Sequence, residues 1–136
     1  MNRYWSLLTF ISLFCYGLWG YFGNQTAKYA DAYSALFFSS LGTLLAGFLC
    51  LGLLHFQPVF SLKGTLYGMS TGLATGIGTL FFISALRVGN TAPTVFITAL
   101  YPVITLLLCI FLLHEHITIK QVLGIFFAVV AIYCFG

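Results

Sequence analysis

The sequence predicts an all-α integral membrane protein with five transmembrane helices. The chain is 61% hydrophobic but only 5% charged, whereas a soluble domain carries about 25% charged residues. The apolar residues also form runs of about 20 residues, which is the length that a helix needs to cross a bilayer. Too little polar surface would remain to cover a soluble core. Lipid is therefore the expected solvent.

Polar or basic residues separate the apolar runs. The first run follows Arg3 and resembles a secretory leader, but it continues to Phe22, so a spanning helix is expected instead. The third run ends at Gly89-Asn90, a pair typical of helix ends, and the fourth begins near Pro93, which a first helical turn tolerates. Open strands would leave backbone groups unpaired in hydrocarbon. The predicted helices cover about 4–22, 33–54, 62–86, 93–113 and 119–135.

Glycines predict close packing of the third helix. Gly64, Gly68, Gly72 and Gly76 recur at four-residue spacing, so they share one helical face. Helices in lipid associate largely through close backbone contact, which small residues permit. This glycine face is therefore expected to pack against another helix.

The basic residues give only a weak preference for one orientation. Five crossings place Arg3, Lys63 and Lys120 on one side of the membrane and Lys28 and Arg87 on the other. The chain could insert with its N-terminus inside, or in both orientations to form an antiparallel pair. Many transporters enclose their site between two inverted halves, and a single five-helix unit obtains that symmetry only from an inverted copy or partner.

Several short motifs are spread over nearly the whole chain. They are Trp19-Gly20, Phe81-Phe82-Ile83-Ser84-Ala85-Leu86 ahead of Gly89, Thr98-Ala99-Leu100-Tyr101-Pro102-Val103, Glu115, and Gln121-Val122-Leu123-Gly124. With these motifs the chain resembles an EamA domain of the drug/metabolite transporter superfamily. The Leu-Tyr-Pro-Val stretch, the glutamate after it and the Gln-x-x-Gly start of the fifth helix are the most specific part of the resemblance.

The resemblance implies half of a transporter for a small-molecule substrate. Typical family members resemble two such domains in tandem with inverted halves, and they export or exchange small metabolites. This chain has one domain, so completion by a homodimer or by a second small subunit is implied. Where many relatives carry a basic residue shortly after the Trp-Gly pair, this sequence has Asn24, with Lys28 one turn later. The short loops and the lack of eukaryotic targeting signals favour a bacterial inner membrane.

Aromatic residues and one proline are candidates for lining a substrate cavity. Pro102 removes a backbone hydrogen bond inside a helix, so Tyr101-Pro102 is expected to form a hinge or cavity wall, or else a static kink. Aromatic side chains could also line the cavity with their ring faces, indole groups or hydroxyl groups, or they could mark the headgroup boundary. The residues that offer them are Tyr16, Trp19, Tyr67 and Phe82. Ionisable side chains near mid-helix are lacking, which disfavours a permanently cationic drug as substrate.

Other chemistries are not supported by the sequence. His114, Glu115 and His116 lack the spacing that places two imidazoles on one helical face, so no metal is expected. Glu115 is expected to pair with Lys120 at the membrane interface or to cap the fifth helix. No catalytic triad, Walker sequence or dinucleotide fingerprint is present, which predicts no enzyme and no cofactor. The sparse basic residues argue against nucleic-acid binding.

The leading functional hypothesis is a secondary transporter or facilitator of a small organic metabolite. Its two-protomer, ten-helix assembly would work by alternating access in contact with membrane lipid. Two alternatives remain open: a subunit of a flippase for a lipid-linked sugar, and a non-transporting membrane partner of a larger complex.

Overall fold

The computed structural model describes residues 3–114 and 118–135, and these residues are helical apart from short connections. The elements are α1 (Arg3–Tyr29), α2 (Ala32–Leu53), α3 (Leu62–Val88), α4 (Thr91–Thr98), α5 (Tyr101–Leu113) and α6 (Ile119–Phe135). The first three helices and the α4–α5 segment are each long and apolar enough to cross a membrane, and α6 is a shorter apolar helix. The protein is an all-α integral membrane protein, as predicted.

Helix α1 continues beyond the end predicted at residue 22. Asn24, Gln25 and Lys28 lie within its last two turns, and Lys28 Nζ donates a hydrogen bond of 3.4 Å to Gln25 Oε1. A helix of 27 residues is about 40 Å long, whereas the hydrocarbon layer is about 30 Å thick. The polar residues therefore mark where α1 extends beyond the hydrocarbon layer, and the backbone stays helical past them.

The fourth predicted span, over 93–113, is divided into α4 and α5 by Ala99 and Leu100. Pro102 has no N–H group, so it cannot donate to the carbonyl of Thr98 one turn earlier. The Leu100 N–H donates to the Ile97 carbonyl at 3.1 Å, a tighter turn than that of an α-helix. Proline thus produces a break one turn before its own position.

The chain divides into two compact units, residues 1–88 and 89–136. In the first unit, α1, α2 and α3 pack together. The buried side chains come from the start of α2 and the last turns of α3: Ala32, Ala35, Thr79, Phe82, Ile83 and Leu86. Because α2 contributes only alanines to this core, the larger side chains of α3 approach its backbone closely. The core lies at the end of the unit that carries the α1–α2 turn.

Asp31 fixes the two-residue turn between α1 and α2. Its carboxylate accepts hydrogen bonds from the backbone N–H groups of Tyr33 and Ser34, each at 3.0 Å, and so caps the N-terminus of α2. Hydrogen bonds from Ser34, first from its side chain and then from its backbone, hold the pKa of Asp31 below its ordinary value. A short turn of this kind makes α1 and α2 antiparallel neighbours.

Helix α2 ends in a Schellman motif. The Phe56 N–H donates to the Leu51 carbonyl and the His55 N–H to the Gly52 carbonyl, both at 3.0 Å. His55 and Phe56 have φ angles of 49° and 59°, in the left-handed region that glycine prefers. Two non-glycine residues therefore hold the strained positions of this helix end.

In the second unit, α4 packs against α6. The N–H and the hydroxyl of Thr118 donate to Gln121 Oε1 at 2.7 and 2.9 Å. The first of these bonds is one half of a capping box at the start of α6. Glu115, which was predicted to cap this helix or to pair with Lys120, lies outside the described residues; Lys120 is exposed in the first turn of α6.

Candidate functional site

A cavity of about 160 Å³ lies between α1, α2 and α3, beside the packed core of the first unit. Its aromatic wall consists of Trp19, Phe22 and Phe82. The rings of Trp19 and Phe82 are stacked, with centroids 5.0 Å apart and planes inclined by 20°. Trp19 remains 43% exposed, whereas Phe82 is 6% exposed. Phe82 therefore belongs both to the core and to the cavity wall.

Gly23 brings the backbone of α1 close to this stack. A Cβ atom at Gly23 would lie 3.3 Å from the Phe82 ring, which is closer than nine in ten ordinary Cβ contacts. Gly23 also lines the cavity. Since any larger residue would press on the ring, glycine at this position allows Phe82 to lie against α1.

Three hydroxyl groups give the cavity its polar character. Thr26, Ser39 and Thr79 come from α1, α2 and α3 respectively. The Thr26 hydroxyl donates to the Phe22 carbonyl at 2.8 Å, and the Thr79 hydroxyl donates to a carbonyl of its own helix at 2.7 Å. Each of these two hydroxyl protons is thus donated to a carbonyl of its own helix, and the lone pairs of the hydroxyl oxygens remain available to accept hydrogen bonds.

The lining favours uncharged polar molecules. Ile83 completes it, and none of the described lining residues carries an ionisable side chain. A charged solute would therefore find no described lining side chain of opposite charge, and an unpaired charge in a largely apolar site is costly. Ring faces and hydroxyl oxygens together offer apolar contact and hydrogen bonding to a neutral solute.

Two of the residues predicted from sequence to line a cavity, Trp19 and Phe82, contact each other and line this cavity. Tyr16 lies one turn before Trp19, is 63% exposed and does not line the cavity. Tyr67 precedes Thr79 by twelve residues on α3, a separation of about 18 Å along the helix. Tyr16 and Tyr67 therefore lie outside this cavity.

Tyr101 and Pro102 open α5 in the second unit. The Tyr101 carbonyl accepts a hydrogen bond of 3.1 Å from the Thr105 hydroxyl, and the Tyr101 side chain is 58% exposed. Their position at a helix break agrees with the expected kink. Their contact with substrate stays a prediction.

The glycine face of α3 is largely open. A Cβ atom at Gly68 or Gly72 would have no neighbour within 4 Å, and one at Gly76 would meet only Leu36, at 3.9 Å. A Cβ atom at Gly64 would meet only Ser61 of the preceding connection. The packing role predicted for this face therefore concerns contacts beyond those within the first unit, and it stays a prediction.

Sequence reasoning missed most of the cavity lining. Gly23 follows Trp19 by four residues and Thr79 precedes Phe82 by three, so each pair shares a helical face. The spacing from Trp19 and Phe82 therefore indicates that Gly23 and Thr79 lie on the same faces as these two aromatic residues. Thr26 and Ser39 carry no comparable signal, because their place in the lining depends on how three helices are rotated against one another. Within 3–114 and 118–135, no three His, Cys, Asp or Glu side chains are grouped as metal ligands.

Comparison with known proteins agrees with the transmembrane fold. Residues 3–136 match the EamA-like transporter family. The chain is 35% identical over 103 residues to the glucose uptake protein GlcU of Staphylococcus xylosus, a match that covers 75% of this chain but only 34% of that protein. The chain thus spans about a third of this relative's length. No solved structure matches the chain significantly. With nearly all of its residues matched, the chain belongs to the EamA-like transporter family.

Proposed function

We propose that this protein is a secondary transporter or facilitator of a small, uncharged, polyhydroxylated metabolite of the sugar class. The observation that carries this proposal is the cavity between α1, α2 and α3, with an aromatic wall and three hydroxyl groups. Aromatic faces pack against the C–H faces of a sugar ring, while hydroxyl oxygens accept its O–H groups. The similarity to a glucose uptake protein supports the same class of solute.

The size of the cavity supports a small solute. Drug-sized ligands occupy sites of about 300–1,000 Å³, and this cavity measures about 160 Å³. A monosaccharide or a shorter polyol is closer to that volume than a disaccharide. The headgroup of a lipid-linked oligosaccharide exceeds it further.

We infer that two inverted protomers form the working assembly. The near-even distribution of basic residues permits both orientations, and the family match covers this short chain once. Thr79 and Ile83 lie nine and five residues before the end of α3, about 14 and 8 Å along the helix. An antiparallel pair would therefore carry one cavity near each face of the membrane. Alternating exposure of the two cavities would move solute in either direction down its gradient.

The experiment that tests the solute class is uptake into proteoliposomes. A neutral hexose, its phosphate ester and a quaternary ammonium compound are compared as radiolabelled solutes. The hexose is expected to exchange across the membrane, and the two charged compounds are expected to remain outside. Equal uptake of all three compounds, or uptake of the charged compounds alone, would contradict the proposal.

A matched pair of variants connects uptake to the cavity. Thr79→Val removes a hydroxyl from the wall and is expected to lower hexose uptake at least about tenfold, since a lost polar contact weakens discrimination strongly. Thr71→Val removes a hydroxyl that bonds in the same way to its own helix but does not line the cavity, and uptake should be retained. Movement of a lipid-linked sugar without hexose uptake would favour a flippase subunit. No movement of any solute would favour a non-transporting partner.

A further inference from the structure

We infer that Phe82, held between Trp19 and Gly23, is the wall that determines the size of solute the cavity accepts. This inference rests on the proposed function, because it concerns the solute site described above. Gly23 is the positioning residue. Because glycine has no Cβ atom, the Phe82 ring can lie directly against α1 at this position. Neither residue needs to form a hydrogen bond with solute for this role.

Three sets of neighbours constrain the Phe82 ring. Trp19 covers one ring face at a centroid distance of 5.0 Å, and the α1 backbone at Gly23 lies against the ring edge. Phe82 also belongs to the buried core cluster that contains Ala35 and Ile83, which are 0% and 2% exposed. Packed interiors resist added volume and respond by displacing side chains.

A single methyl group at Gly23 would therefore reduce the cavity. The Cβ atom would stand 3.3 Å from the ring, so the ring must yield by a few tenths of an ångström. Packing in the core opposes displacement of the Phe82 ring, and the cavity is empty space that this ring borders. The ring is thus expected to move into the space of the solute.

Glycines on the same helix supply the matched control. A Cβ atom at Gly20 would have no neighbour within 4 Å, and Gly20 does not line the cavity. Gly20→Ala and Gly23→Ala change the helix propensity of α1 equally. Any difference between the two variants therefore reports the contact with Phe82.

Trp19 is a built-in reporter of binding. The sequence contains two tryptophans, Trp5 and Trp19, so the Trp5→Phe background leaves one indole, in the cavity wall. Binding of a neutral hexose and of a four-carbon polyol is measured by the change in Trp19 emission. Gly23→Ala is expected to weaken hexose binding at least about tenfold and polyol binding by no more than about twofold, because one methyl group in a tight pocket discriminates by about 10–200-fold.

Compensation provides a second measurement. Phe82→Leu in the Gly23→Ala protein makes room for the new methyl group, so hexose binding is expected to recover, as in a double-mutant cycle between contacting residues. Gly20→Ala should leave both affinities unchanged. Equal loss of hexose and polyol binding in Gly23→Ala, or no recovery in the double variant, would overturn the inference.

A solute-independent measurement separates this inference from the proposed function. Acrylamide, a small neutral quencher, should quench Trp19 at least about twofold less in Gly23→Ala than in Gly20→Ala, because the narrowed cavity admits it less readily. If neither solute changes Trp19 emission in the parent protein, the proposed solute class fails, and quenching alone decides whether Phe82 limits entry. If quenching is the same in both variants, the size-determining wall is refuted even where hexose is transported.

Discussion

Phe81 and Phe82 are adjacent on α3 but lie in opposite environments, with 68% and 6% of their surfaces exposed. Phe82 stacks on Trp19 and packs into the core, whereas Phe81 points away from it. Because the two residues are chemically identical and share one helix, they form a natural pair for measuring how much the α1–α3 contact stabilises the first unit.

Phe82→Ala is expected to lower the free energy of unfolding by roughly 1–3 kcal/mol. The estimate lies below the 3–5 kcal/mol of soluble cores, since both folded and unfolded helices remain in lipid and packing contacts dominate the loss. Unfolding in mixed detergent micelles, followed by circular dichroism, measures it. Phe81→Ala should change the value by less than about 0.5 kcal/mol, and an equal effect of both variants would contradict the assigned core.

Asp31 makes the α1–α2 turn sensitive to acid. Hydrogen bonds from Ser34 and Tyr33 lower the pKa of the folded carboxyl, so its stabilising contribution is present above the pKa of the unfolded chain. This contribution is lost as the pH falls below about 4, the pKa of the carboxyl in the unfolded chain, and then through its lowered pKa in the folded protein. Thermal unfolding between pH 3 and 7 should show this loss.

Two substitutions at Asp31 separate capping from charge. Asp31→Asn retains a good helix cap and should flatten the acid dependence of stability. Asp31→Ala removes the cap and should lower stability at every pH. A pH profile of the Asn variant identical to that of the parent protein would assign the acid sensitivity to another group.

His55 holds a left-handed conformation that glycine would adopt with less strain. His55→Gly is expected to raise the free energy of unfolding by about 1 kcal/mol, because the Schellman motif at the end of α2 requires positive φ at this position. His55→Ala retains the strain and serves as control. Destabilisation by glycine would show that the His55 side chain makes a contribution larger than the backbone strain.

Orientation is tested at two exposed residues that flank α2, one at the end of α1 and one in the α2–α3 connection. Single cysteines replace Tyr29 or Val59, which are 87% and 96% exposed, in a background without the four native cysteines, all of which are free. An impermeant thiol reagent applied to intact cells should label each site in about half of the molecules if both orientations occur. Complete labelling of one site and none of the other would show a single orientation, and it would favour a separate inverted partner or a non-transporting role.

The four long apolar segments among the described residues were predictable because membrane insertion depends on local hydrophobic length. The end of α1 was not, since Asn24 and Lys28 look like a loop but continue the helix. Proline correctly indicated an interruption near Tyr101-Pro102. The break itself lies at Ala99 and Leu100, where the backbone adjusts to the hydrogen bond that Pro102 cannot donate.

The candidate site was predictable only in part. Trp19 and Phe82 were individually conspicuous as aromatic residues, but their contact depends on the rotation of α1 against α3, which neither helix encodes alone. The close approach at Gly23 is a tertiary property for the same reason. Glycine spacing in α3 was the more obvious pattern, yet it lies on a face that α1 and α2 leave largely open.

Within the first unit, the buried residues of α3 are confined to 79–86, so this end of the helix would serve as the pivot if the helix tilted. About 20 residues, or about 30 Å, separate the pivot from Leu62. A tilt of about 10° at the pivot would move the Leu62 end by about 5 Å, nearly the rise of one helical turn. A small rearrangement around Phe82 would thus produce a large stroke at the opposite membrane face.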